Sequence, residues 1–204
     1  MKKKKKGILS PIGLNFDDMF NASREQNIDD YYYDAMELLG GGKKEIKEAL
    51  RLLKIALKVD EDDVQTHIGF VCVYGAIGDE KKREEAIKTA YEKTLKKFPK
   101  WPKEMEWGYL ENRAYMRAIQ YMGDLYWDNN EKEKATKLFR LLLKLNPNDN
   151  QGVRYEIAAL YAGLNGDDVN RMTDEGNQKQ DWSEEENLVQ EQNKKHKFWK
   201  EPKY

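Results

Sequence analysis

The chain has 204 residues, and 36 basic side chains against 37 acidic ones leave a net charge of -1. That length holds one helical array with tails; 36% charged and 39% apolar residues fit helices that expose one face and bury the other; and the balanced charge excludes a global field drawing the chain to nucleic acid or anionic membrane. Cys72, the only cysteine, excludes an internal disulfide and fits a reducing compartment, and the longest apolar run, Ile68 to Ile77, falls short of the ~20 residues of a membrane span.

Residues 1–28 lack helical periodicity over most of their length and carry the breakers Pro11 and Gly13, which predicts a flexible basic arm. Lys2 to Lys6 lead into Gly7, Ile8, Leu9, Ser10 and Pro11 without a long apolar segment, so no signal peptide is expected and the expected location is cytoplasmic. The lysine run has no interleaved aromatic or arginine residues, a pattern that fits a solvated terminus better than a phosphate-binding strip. Ile12, Leu14, Phe16, Met19 and Phe20 are apolar enough to fold back on the array or to serve as a short docking motif.

A first helix is expected from Asp29 or Asp30 to Leu39, with Tyr32, Ala35, Met36 and Leu39 at helical spacing, and Gly40, Gly41 and Gly42 stop it. No strand precedes that glycine run and no Gly-Lys-Ser/Thr ending follows it, so it is a turn and not a nucleotide loop. A second helix over Lys43 to Val59 carries Ile46, Ala49, Leu50, Leu53, Ala56 and Leu57 on one face. Asp60 to Asp63 lack the alternating ligands and central glycine of a calcium loop and fit capping of the next helix, Asp63 to Ile77. His67 within it is expected as a packed ring, since no catalytic partner is recognisable. Its pair runs from Glu80 to Phe98, and Pro99 closes the unit. The insertion between Pro99 and Asn112 holds Trp101, Trp107 and Tyr109, which should cover an apolar edge, and Asn112 is a candidate N-cap for the helix that follows.

Residues 113–155 carry the most specific pattern. Ile119, Met122, Gly123 and Tyr126 are followed by Ala135, Phe139 and Pro147, offsets that match the tetratricopeptide pattern of two antiparallel helices with its leading Trp replaced by Ile. Gly123 and Ala135 are small where two backbones approach, the larger residues fill the space around that contact, and Pro147 ends the second helix. The ending Leu57, Lys58, Val59, Asp60 parallels Leu143, Lys144, Leu145, Asn146, and that alignment sets Ala49 on Ala135 and Leu53 on Phe139, the sign of an internal repeat. A further helix, Gln151 to Leu164, follows the caps Asn148 to Asn150 and is half of a unit without its partner. The tail should cover it: Val169 and Met172, then a capping box of Ser183 and Glu186 opening a helix to about Lys195, with Trp182, Leu188, Phe198 and Trp199 sealing the end. The expected fold is therefore all-α, a tetratricopeptide-like antiparallel helix-pair solenoid over residues 29–166 with a C-terminal capping tail over 167–204.

NRAYMRA at residues 112–118 and LNPNDNQGVRY at 145–155 resemble the tetratricopeptide-like region of the suppression-of-tumorigenicity family, with Ala114 standing where that family's wording leads one to expect proline. The resemblance implies a helical repeat protein without catalytic residues or cofactor, and transmits no substrate.

In such arrays the first helix of each pair lines the concave groove. Arg117, Gln120, Tyr121 and Asp124, then Gln151, Arg154 and Tyr155, are the candidate groove residues, with Gln65, Gly69 and Cys72 before them. Arginines beside tyrosines suit a peptide carboxylate; equally, Arg154 could pair with Asp124 or Glu156 and fix a helix angle. Two distant histidines, one cysteine among apolar residues and no metal-ligand spacing offer no catalytic, metal or cofactor site. The expectation is a non-enzymatic module binding a protein or peptide partner, with an accessory role at nucleic acid through Lys2 to Lys6 as the alternative.

Overall fold

The computed structural model describes residues 27–200 and Pro202. The expected basic arm lies outside them except at its last two positions: Asn27 caps the first helix and Ile28 begins it. The described residues form nine α-helices and no strand: α1 (Ile28–Glu37), α2 (Lys43–Val59), α3 (Val64–Ala76), α4 (Glu80–Lys97), α5 (Leu110–Asp128), α6 (Lys132–Leu145), α7 (Val153–Ala162), α8 (Gly166–Lys179) and α9 (Ser183–His196).

Side-chain caps set several of the helix starts. Asn27 and Asp30 form a reciprocal capping box on α1, Asp63 accepts from the Thr66 amide on α3, and Asp79 accepts from the Lys82 amide on α4. A short 3-10 turn, Leu38–Gly40, leads to the glycines that end the first segment. His67 packs as expected, largely buried, with Nε2 3.1 Å from the Glu61 carbonyl oxygen.

Sequential helices pack on one another, with the pairs α1/α2, α3/α4 and α5/α6 in broad contact. The odd-numbered helices α1, α3 and α5 also touch in succession, so they make one row with the even helices behind. Ala49, Leu53, Ala56, Ala90, Ile119, Ala135 and Phe139 are fully enclosed between the rows. A Cβ on Gly123 would collide with the Phe139 ring, which is why the α5/α6 contact requires glycine there. Gly69, expected in the groove, makes a close approach instead: a Cβ on it would run into Leu53 of α2.

The insertion after α4 covers an edge as expected, through two of its three aromatic rings. Trp101 stacks on Phe98, Arg113 lies over Trp107, and the Met105 amide donates to the Leu145 carbonyl at 2.6 Å, clipping the segment to the end of α6. Tyr109 stays exposed. Asn112 caps nothing, because α5 starts at Leu110 and the Asn112 side chain donates to the Glu106 carbonyl.

The C-terminal end differs more from expectation. α7 begins at Val153, not Gln151, because Asp149 and Gly152 both take left-handed backbone and spend two more residues in the turn. The Asp149 carboxylate then accepts from the Val153 and Arg154 amides. α8 opens with a capping box of Asn165 and Asp168, whereas Ser183 opens no such box, since it is itself the first residue of α9 and the Glu186 carboxylate is turned toward α7. α9 packs chiefly on α7, with α8 alongside. Leu188, Phe198 and Trp199 pack against the core, while Trp182 sits over Gly176 of α8 and remains exposed.

Candidate functional site

Arg117, Gln120, Tyr121 and Asp124 lie three and four residues apart on α5, so helix geometry puts them on one face. The described structure brings these four and Gln151 into two neighbouring groups. In the first, Arg117 and Tyr121 of α5 lie beside Cys72 of α3, and Arg117 and Cys72 lie beside Tyr32 of α1. Burial, with the Cys72 thiol next to it, pushes the Tyr121 phenol up to about 12, and burial raises the Cys72 thiol as well.

The second group joins α5 to α7. Gln151 donates to the Gln120 carbonyl oxygen at 2.6 Å, and Gln120 donates to Glu156 Oε1 at 2.9 Å. Gln151 Oε1 and Glu156 Oε2 are both buried without a hydrogen-bond partner. Asp124 stands near Glu156, and burial followed by the charge of Asp128 raises its carboxyl above the usual range, with Arg83 acting the other way. Glu156 is raised by burial first and by Asp124 second. Two carboxyl groups therefore share a desolvated place on neighbouring helices, and Arg83, the opposing charge that acts on Asp124, is hydrogen-bonded to Glu80 at 3.2 Å.

Arg154 and Tyr155 belong elsewhere. Arg154 pairs with neither Asp124 nor Glu156, the alternatives considered for it. Its Nη1 donates to the buried Asp149 carboxylate at 2.9 Å, its Nη2 lies 3.4 Å from Glu186 Oε1 and 2.6 Å from the Tyr155 hydroxyl, and its guanidinium lies over the Trp199 ring. Tyr155 donates to Glu186 in turn. The physical reason is helical register. Residues two apart on a helix point some 200° apart, so when Glu156 faces α5, Arg154 faces the tail. A repeat step of 34 residues pairs Gln120 with Arg154, but the bond joins residues 36 apart, Gln120 and Glu156. The two extra residues are those of the left-handed turn before α7.

Glu156 is the site residue that sequence reasoning passed over. Its signal was present: a carboxylate within VRYEIAALYA, flanked on its C-terminal side by Ile157, Ala158, Ala159 and Leu160, all buried. Among the described residues no group of three or more His, Cys, Asp or Glu side chains is arranged to hold a metal ion, and no helix is long and apolar enough to cross a membrane. No protein-family model, no curated protein and no solved structure matches the chain.

Proposed function

We propose that the chain is a non-enzymatic, cytoplasmic interaction module, a tetratricopeptide-like array that takes a partner peptide in the groove lined by α1, α3, α5 and α7. The observation that carries this reading is the continuity of the odd-numbered row: α1, α3 and α5 touch in succession, and the Gln151–Gln120–Glu156 relay ties α7 to α5. A row of that kind supports a surface long enough for an extended peptide, and Arg117, Gln120, Tyr121, Asp124, Gln151 and Glu156 give it polar groups for hydrogen bonding. The pattern at Ile119, Gly123, Ala135 and Phe139 supports the repeat assignment, because the Gly123–Phe139 contact is the close approach that pattern demands. Arg154 and Tyr155 serve in this reading to dock the capping tail.

A photo-crosslinking amino acid at position 117 on α5, compared with one at Lys54 on the exposed side of α2, tests the reading in lysate of the native cells. A discrete protein adduct from position 117 with none from position 54 is the expected result. Adducts from position 54 alone, or none from either, would count against a groove partner.

A further inference from the structure

We infer that the lysine run, Lys2 to Lys6, docks within its own chain on an acidic cavity where α1, α3 and α5 begin, and covers that end of the odd-numbered row. The inference concerns the chain's own arm and does not depend on a peptide partner.

The cavity has a volume of about 190 Å³ and lies between Asp29 and Tyr33 of α1, Asp63 at the start of α3, and Leu110, Glu111 and Tyr115 of α5. Its carboxylates lack cations. Gln65 donates to Asp29 at 3.4 Å, and the Thr66 amide and hydroxyl donate to Asp63, but among the described residues no ion pair reaches Asp29, Asp63 or Glu111. Asp62, next in sequence, takes both Lys93 and Lys96. Burial raises the Asp29 carboxyl, and the charges of Asp63, Asp30 and Glu111 raise it further, so negative charge gathers here without compensation.

Acidic residues at helix starts answer the helix dipoles, which accounts for the carboxylates. It does not account for Tyr33 and Leu110, which line the same cavity and stay half exposed. Exposed rings and alkyl groups beside carboxylates suit lysine, whose stem lies on apolar surface while its ammonium reaches the acids. A metal ion fits less well, since no set of three ligating side chains gathers among the described residues.

The arm supplies that chemistry and joins the array beside the cavity. Residues 1–26 hold six basic and three acidic side chains, leaving 30 basic against 34 acidic in the rest, so arm and body carry opposite net charge. The described chain begins at Asn27, two residues from Asp29, and Lys6 is 23 positions from Asp29. A tether of that length presents the lysines to the cavity at an effective concentration on the order of millimolar. One exposed lysine–carboxylate pair contributes little, but several lysines facing three carboxylates act as a network, and their attraction weakens with salt.

The test compares amide NMR spectra of the full wild-type chain and a full-length variant carrying Lys2→Gln, Lys3→Gln, Lys4→Gln, Lys5→Gln and Lys6→Gln. Loss of the docked lysines should move the amides of Asp29, Tyr33, Gln65, Glu111 and Tyr115, all 23 or more positions from any exchanged lysine, and leave Leu188 and Trp199 in place. In the wild type, added salt should move the same amides toward their positions in the variant. Carbodiimide, which joins an amine directly to a carboxylate, should link the lysine run to Asp29 or Glu111 within one chain, as read by mass spectrometry of the monomer. Differences confined to residues 1–26 or centred away from the cavity, or no link to either carboxylate, would overturn the inference. So would shifts that grow with protein concentration, because those place the lysines on a second copy. Should the variant not fold, the salt series and the cross-link decide on the wild type alone.

Discussion

Two polar clusters meet at α7 and differ in one respect. The cluster around Arg154 is charge-paired: its guanidinium has Asp149, Tyr155, Glu186 and the face of Trp199, and only its Nε is buried without a hydrogen-bond partner. The cluster around Glu156 is not: among the described residues no ion pair reaches Asp124 or Glu156, whose carboxyl groups stand near each other, and Glu156 has only the Gln120 amide as a hydrogen-bond partner. Both are largely withdrawn from water, so desolvation bears on both, and only the first pairs opposite charges within the chain. A charge-paired cluster of this kind holds the tail in place. An unpaired one titrates instead, and its carboxyl groups hold their protons.

The largest effect should come from removing the charge-paired side altogether. Truncation after Gly166 takes away α9 with Leu188, Val189, Phe198 and Trp199 and bares α7, and should lower stability by about 3–5 kcal/mol in thermal or urea unfolding. An unchanged melting temperature would mean that the tail does not stabilise α7. Next, Arg154→Ala leaves Asp149 buried without its cation and should cost about 3 kcal/mol; a loss under about 0.5 kcal/mol would show that the amides of Val153 and Arg154 suffice for Asp149.

The unpaired side should respond with the opposite sign. The Asp124 and Glu156 carboxyls bind their protons more tightly folded than unfolded, so their contribution to stability is full below the ordinary carboxylate range and is lost as pH rises through the raised folded values. Glu156→Gln removes one of these ionisations. The variant should match the wild type near about pH 5 and exceed it by about 1–3 kcal/mol near about pH 9. A variant less stable than the wild type at the higher pH would show that the charged form of Glu156 is compensated after all. The smallest change is expected for Glu186→Gln, whose side chain is half exposed: under about 1 kcal/mol, read as a small shift in urea midpoint.

How much of this was legible in the sequence differs between the same two regions. α2 runs from Lys43 to Val59, where its apolar period places it, and Gly123 with Phe139 is a contact that two-helix spacing dictates. Those features are set by periodicity and residue size, which a sequence displays directly. The C-terminal end depends instead on backbone choices that sequence specifies weakly. A left-handed Asp149 and Gly152 delay α7 and turn Glu156 inward, and Glu186 binds Arg154 across the interface instead of closing a box with Ser183. Asn165 and Asp168 had the spacing of a capping box too, and only packing shows which of the two candidates closes. Of the candidate groove residues, Gln120, Asp124 and Gln151 come together, Arg117 and Tyr121 lie on the neighbouring stretch of α5, and Arg154 and Tyr155 turn to the tail.

The most direct test of the central claim is to map, by NMR chemical shifts on the full chain, where a peptide selected on the chain from a displayed random library binds. A groove on the odd-numbered row predicts the largest shifts at Arg117, Gln120, Tyr121, Asp124, Gln151 and Glu156, with Arg154, Glu186 and Trp199 nearly unmoved. Shifts centred on Glu186 and Trp199, or on Trp101 and Trp107, would contradict it and assign binding to the tail or to the insertion.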